Sequence, residues 1–72
     1  MANAARDDTM SRVRARFEMS GLSLHDLGLK MGYPSESARK SAWQFIEKTS
    51  DPRISMLRRF AKAMGVSVKS LL

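Results

Sequence analysis

Ser35–Lys48, with the sequence S-E-S-A-R-K-S-A-W-Q-F-I-E-K, is the stretch from which the fold can be predicted. At about 100° per residue, four apolar side chains fall on one side of a helix, with Trp43 at the flank: Ala38, Ala42, Phe45 and Ile46. The opposite side carries hydroxyl, amide and ammonium groups, on Ser37, Lys40, Ser41, Gln44 and Lys48. We predict a helix that packs through its apolar side and presents groups suited to binding base edges and phosphates.

The net charge of the 72-residue chain is +6 at pH 7, which is high for one small domain. Small basic domains bind polyanions, and nucleic acid is the commonest polyanion inside cells. The alternative is that the charge only confers solubility, in which case the basic residues should be spread evenly. Arg12, Arg14 and Arg16 face away from the apolar stripe of their helix, which is typical of a solvated face; a clamp on backbone phosphates is the alternative.

Several function classes are disfavoured by composition. The chain has no cysteine and one histidine, His25, so we expect no metal site and no cofactor. It has no paired carboxylates at a catalytic spacing and no glycine-rich phosphate loop, so we do not expect an enzyme. No apolar run is long enough to span a bilayer and no signal peptide is recognisable, so we expect a cytoplasmic protein without a membrane partner.

Helical periodicity continues on both sides of the opening stretch. Apolar stripes are predicted in the first, second and fourth helices, formed by Met10, Val13 and Phe17, by Leu24, Leu27 and Met31, and by Leu57, Phe60, Ala61 and Met64. Residues 1–6 lack it and are predicted to form a disordered arm, while residues 7–72 form a single domain. The first helix is expected to begin between Asp7 and Thr9, and the later helices to follow serine caps, at Ser23, at Ser35 or Ser37, at Ser55 and at Ser67. No segment alternates at period two. We therefore predict an all-α fold, a compact bundle of four to five helices.

Glycine and a short turn mark the relation between the second and third helices. Gly28 lies in the interior of the second helix, where glycine costs about 1 kcal/mol relative to alanine. A close crossing with another helix would explain it. Pro34 then separates the two helices, because proline disfavours a helical conformation at the residue before it.

Three sequence segments resemble the lambda-repressor-like family of helix-turn-helix DNA-binding domains, the Cro or xenobiotic-response-element type. They are L-S-x-x-x-L-G-x-K-M-G (22–32), S-A-W-Q-F-I-E (41–47) and D-P-x-I-S-M-L-x-x-F-A-K-A-M-G-V-S (51–67). The resemblance implies a helix-turn-helix whose recognition helix, 35–48, lies in the major groove of double-stranded DNA. The chain differs from the family pattern at three places. Gly28 stands where the family has alanine, an exchange that we expect to be harmless. Leu24 stands where the family has glutamine, and about five extra residues lie between Gly32 and Ser41.

The resemblance places the base-reading positions at Lys40, Ser41 and Gln44, which also lie on the polar side of the predicted helix. The alternative is an ordinary solvated face. Candidate phosphate-binding residues are Arg39, Lys48, Thr49 and Arg53. The alternative for Arg39 is a stem packed along the Trp43 indole with its charged head in water. Trp43 is expected in the core, and Phe45 either in the core or against a thymine methyl group.

We expect a sequence-specific transcriptional regulator that binds a palindromic site as a homodimer, because one helix reads few base pairs. Leu71 and Leu72 would form the dimer contact or else cover the first helix. The alternative function is a protein-interaction module of the same fold, an anti-activator or antitoxin with a protein partner. Non-specific DNA binding is a third hypothesis.

Overall fold

Four α-helices follow one another through the residues that the computed structural model describes, and these residues contain no strand. The backbone is described over residues 2–72 and the side chains over residues 9–72. The helices are α1 (Ala2–Ser20), α2 (Leu24–Lys30), α3 (Ser35–Trp43) and α4 (Ile54–Met64). A π-helical turn, Gln44–Lys48, continues α3, and a 3-10 helix, Val68–Leu71, follows α4. The all-α prediction is confirmed.

The N-terminal boundary of α1 differs from the prediction. The helix begins at Ala2 rather than between Asp7 and Thr9, and Thr9 is buried within the helix instead of capping it. The sequence before Asp7 is rich in alanine, the residue of highest helix propensity, which favours the earlier start. The arm predicted over residues 1–6 falls on this part of the chain, where Met1 and the side chains of residues 2–8 lie outside the described residues.

Serine caps occur at two of the predicted places. The Ser23 hydroxyl accepts a hydrogen bond from the backbone N–H of Asp26 at 3.0 Å, at the start of α2. The Ser67 hydroxyl accepts from the backbone N–H of Ser70 at 3.2 Å, at the start of the 3-10 helix. At Ser23 the side chain satisfies an N–H that has no partner within the helix, and at Ser67 it shares the Ser70 N–H with the Ser67 carbonyl, which accepts at 3.2 Å.

The serine caps predicted for α3 and α4 are wrong. Pro34 occupies the cap position of α3 in an extended conformation, and its carbonyl accepts from the N–H of Ser37 at 3.1 Å. Ser35 is therefore already helical. Arg53 takes the cap position of α4, two residues before Ser55, and no side chain caps that helix. The fixed φ of Pro34 restricts the chain at the start of α3, and no side chain caps that end of the helix.

The C-terminal end of the 35–48 helix is wider than predicted, because Gln44–Lys48 is π-helical. Arg14 of α1 donates from Nε to the carbonyl of Ile46 at 2.9 Å, and the hydroxyl of Thr49 donates to the carbonyl of Gln44 at 3.3 Å. Both side chains therefore add hydrogen bonds to carbonyls of this wider last turn. Arg14 therefore anchors α1 to the end of α3 and is not simply part of a solvated face.

The core is formed where all four helices meet the 3-10 helix. Its buried apolar residues are Met10, Val13, Leu27, Met31, Ala42, Phe45, Ile46, Leu57, Phe60, Ala61 and Leu71. The stripes predicted for the individual helices supply most of them. Leu71 is fully buried in the core with residues of α1, which favours the predicted alternative that it covers the first helix over a dimer contact, whereas Leu72 remains 60% exposed. The Arg12 guanidinium also donates to the Leu72 carbonyl at 2.6 Å, which ties α1 to the C-terminal end.

Helices α2 and α3 cross at very short distance, as we predicted from the position of Gly28 in the interior of α2. A Cβ atom added to Gly28 would lie 2.7 Å from the Cα atom of Ala38, and closer still to its carbonyl carbon and oxygen. Real Cβ atoms do not approach backbone atoms this closely. The expectation that alanine would be harmless at this position is therefore wrong, because the atoms in the way belong to the backbone. This crossing holds α3 with its buried side against α2 and its polar side outward.

Candidate nucleic-acid interface

The outward side of α3 carries the three residues predicted to read bases. Lys40 and Gln44 lie one helical turn apart and are exposed, while Ser41 is half-buried beside them. Ala38 and Ala42 are buried on the opposite side of the same helix. The predicted division into a packed side and a polar side is confirmed at Ala38, Ala42, Lys40 and Gln44, whereas Ser41 lies at the boundary between the two sides.

Lys40, Ser41 and Gln44 together form what we call the polar strip. A shallow groove of about 300 Å³ lies on one side of this strip. It is lined by Tyr33, Ser41, Gln44, Phe45, Thr49 and Met56. The Tyr33 hydroxyl lies 3.5 Å from the sulfur of Met56, and the Arg59 guanidinium lies 5.7 Å from the centre of the Tyr33 ring. This groove therefore joins α3 to the N-terminal half of α4 and has a cation at its edge.

A second groove, of about 530 Å³, lies on the other side of the strip. It is lined by Leu24, Glu36, Arg39, Lys40 and Trp43. We call it the Trp43 groove. The ammonium group of Lys48 lies 5.2 Å from the centre of a Trp43 ring, so a third cation joins Arg39 and Lys40 at this site. The structure thus separates the predicted readers: Ser41 and Gln44 line the smaller groove, and Lys40 lines the Trp43 groove.

The aromatic residues of the opening stretch have different environments. Phe45 is 2% exposed, and its ring centre lies 5.7 Å from that of Phe60, so its predicted core position is confirmed. Trp43 is 41% exposed, so the prediction that it belongs to the core is wrong. The close crossing at Gly28 brings α2 against the side of α3 that carries Ala38, and the flank that carries Trp43 is left only partly covered by Leu24.

The four predicted phosphate-binding residues do not form one cluster. Arg39 and Lys48 lie by the Trp43 groove, whereas Thr49 lies by the smaller groove with its hydroxyl bonded to the carbonyl of Gln44. Arg53 is exposed at the start of α4. They are therefore distributed on both sides of the polar strip.

Two residues at the smaller groove were not singled out in the sequence, Tyr33 and Arg59. Their contact joins positions far apart in the chain, and neither follows a local pattern that predicts pairing. His25 is half-buried, with Nε2 3.5 Å from the Ser35 hydroxyl, and this contact links α2 to the start of α3.

Within residues 9–72, no group of three or more histidine, cysteine, aspartate or glutamate side chains is placed to hold a metal ion. None of the helices in the described part of the chain has the length and hydropathy needed to cross a bilayer.

Comparison with known proteins leaves the site to be interpreted from its own geometry. No family model matches the chain, and no curated protein or solved structure is significantly similar to it.

Proposed function

We propose that this chain is a sequence-specific DNA-binding transcriptional regulator whose α3 lies in the major groove. The observation that carries the proposal is the polar strip of α3, which is held outward by the crossing with α2 and has cations on both sides. The major groove is about 12 Å wide and admits one α-helix. The net charge of +6 supplies the attraction to phosphates that such binding requires.

The three residues of the strip have chemistry suited to base edges. Gln44 can pair with adenine through two hydrogen bonds, Lys40 can donate to guanine, and Ser41 can bind a base or a phosphate. Arg39 and Lys48 on one side, Thr49 on the other, and Arg53 at the start of α4 would contact the phosphates that border the groove. The succession of α2, a turn and α3 resembles the helix-turn-helix of the lambda-repressor-like family, which supports the same reading.

The way α3 would enter the groove follows from its first turn. The helix begins at Ser35, so that Lys40 lies in its second turn and Gln44 in the π-helical turn that continues it, rather than at the N-terminal tip. Glu36 in the first turn carries a negative charge, which phosphates repel. We therefore propose that α3 lies along the groove with its side toward the bases, and that its tip stays outside.

A homodimer on a palindromic site completes the proposal. Three reading side chains contact too few base pairs for useful specificity in a genome, and a second copy doubles the site. Leu72 is exposed beside the buried Leu71 and is a candidate for the contact between copies. Light scattering of the protein, alone and with a selected duplex, would give the number of copies in each state.

Selection of bound duplexes from a random library tests the proposal most directly. We expect a consensus sequence, and we expect Gln44→Ala and Lys40→Ala to weaken binding to it by about 1–3 kcal/mol each. Lys62→Ala is the matched control for the charge, because Lys62 is an exposed lysine near the end of α4. Equal affinity for all duplexes with the same salt dependence would instead indicate non-specific binding, and unchanged binding by both α3 variants would refute the proposal.

The exposure of Trp43 favours a second candidate, a protein-interaction module of the anti-activator or antitoxin kind. Tryptophan is enriched among the residues that dominate protein interfaces. In this reading DNA binding would stay at background, and affinity capture would recover one protein in stoichiometric amount. The same duplex selection distinguishes the two candidates, because it yields no consensus for such a module.

A further inference from the structure

The Trp43 groove is an apolar feature beside the polar strip, and its two apolar residues, Trp43 and Leu24, have no part in the proposed reading of bases. Trp43 lies 41% exposed against Leu24, in a concave site of about 530 Å³. Exposed apolar area costs about 25 cal/mol per Å² relative to burial, and a concave site recovers it when a matching side chain enters. Both properties are typical of a docking site.

The charges around the groove restrict what can dock there. Arg39, Lys40 and Lys48 surround Trp43, and Glu36 is the one acidic residue of the groove lining. A second copy of the chain would bring the same cations against these cations, and the two copies each carry a net charge of +6. The occupant must therefore combine negative charge with a bulky apolar group.

A protein segment fits this description better than a single-stranded nucleic acid. Proteins that bind single strands stack successive bases on several aromatic side chains along a basic channel. The lining of this groove contains one aromatic residue, Trp43, and an aliphatic wall, Leu24. An amphipathic helix, in contrast, places one or two apolar anchors in such a groove and its charges at the rim.

We propose that the Trp43 groove binds an acidic amphipathic segment of a partner protein, and that this segment and DNA exclude each other. An apolar side chain of the segment packs on Trp43 and Leu24, and its carboxylates pair with Arg39, Lys40 and Lys48. The exclusion rests on the proposed DNA-binding function, because Lys40 would then be required by both ligands. The partner thereby releases the regulator from its operator.

Trp43 is the one tryptophan of the chain, so its fluorescence reports directly on the groove. The probe is a synthetic peptide of about 16 residues, roughly four helical turns, with leucine at every third or fourth position and glutamate elsewhere. Two control peptides replace the glutamates by glutamine or the leucines by alanine. Titrations at about 0.15 M salt suppress attraction between distant charges.

We expect the acidic amphipathic peptide to shift the Trp43 emission to shorter wavelength and to protect it from iodide quenching. Each control peptide should bind at least tenfold more weakly, which corresponds to about 1.4 kcal/mol. Arg39→Gln should weaken the first peptide to a similar extent, whereas Lys62→Gln, which removes the same charge elsewhere, should not. Absence of an emission change, or equal binding of the alanine control, would overturn the docking site.

Competition with the selected duplex separates this proposal from the proposed function. Release of the duplex by the peptide, with no complex containing both, supports the exclusion. A complex that contains both ligands overturns it. If the duplex binds and the peptide does not, the docking proposal fails and DNA binding stands. If the peptide binds and no duplex does, DNA binding and the exclusion both fail, while the groove stands as a protein-docking site.

Discussion

Replacement of Gly28 by alanine tests the crossing on which the whole arrangement of α2 and α3 depends. In a helix free of tertiary contacts this change would stabilise the protein by about 1 kcal/mol, because alanine has the higher helix propensity. In this structure the new methyl group would lie 2.7 Å from the Cα atom of Ala38 and closer to its carbonyl group. Propensity and packing therefore act in opposite directions at one position.

The size of the effect follows from what can move. The atoms near the new methyl group are backbone atoms of α3, so no side-chain rotation relieves the contact, and the two helices must separate. Overpacking of this kind costs about 1–3 kcal/mol, and a backbone contact belongs at the upper end. After the propensity gain, we expect Gly28→Ala to destabilise the protein by about 2 kcal/mol. For a domain of this size the melting temperature should fall by roughly 10 °C.

Urea unfolding followed by far-ultraviolet circular dichroism and by Trp43 fluorescence measures the change in stability. Ser11→Ala is the control for propensity, because Ser11 is exposed within α1, and this variant should gain a few tenths of a kcal/mol. Ala38→Gly in the Gly28→Ala background is the second control. It removes the side chain of residue 38 and leaves its backbone, so it should not restore stability.

A Gly28→Ala variant as stable as the natural protein would refute the reasoning. It would mean that α2 and α3 do not cross at this distance. Restoration of stability by Ala38→Gly would contradict the assignment of the contact to the backbone of α3, since the methyl group of residue 28 would then meet the side chain of Ala38.

Three further predictions concern other parts of the molecule. Arg14→Met should lower the free energy of unfolding in urea by about 1 kcal/mol, because the Ile46 carbonyl loses its side-chain donor. Arg16→Met, at an exposed position on the same helix, is the control and should change it by less than about 0.5 kcal/mol. Leu71→Ala should cost about 2–5 kcal/mol in the same assay by opening a cavity in the core, and a value below about 1 kcal/mol would contradict its full burial. Arg53→Gln should reduce the log–log salt slope of DNA binding by about one without changing the selected consensus, and an altered consensus would show that Arg53 reads bases.

Local sequence patterns were sufficient to predict most of the helices and the residues they bury. The i, i+3, i+7 spacing of apolar residues identified Met10 and Val13 in α1, and a comparable stripe identified Leu57 and Phe60 in α4. The cap at Ser23 was also predictable, because the residues that form it are three positions apart. Patterns between residues a few positions apart can be recognised from the local sequence, without knowledge of how the helices pack.

The π-helical turn could not be predicted in the same way. A helical wheel assumes a constant angle per residue, and it continued α3 as an α-helix to Lys48. The wider turn is accompanied by donors from other parts of the chain, Arg14 from α1 and Thr49 from the following loop. Their positions depend on how the helices pack, which no local pattern contains.

In the candidate site, too, some features follow from local sequence and others depend on how the helices pack. The sequence by itself determined that α3 has an apolar side, that Lys40, Ser41 and Gln44 share the other side, and that Gly28 marks a close crossing. Only the tertiary structure decided where that crossing lies on α3. Because α2 packs over Ala38, Trp43 is left exposed at the edge of a groove, and Lys40 is separated from the groove that Ser41 and Gln44 line. Burial of an aromatic residue depends on which neighbour covers it, and that neighbour is set by packing over the whole chain.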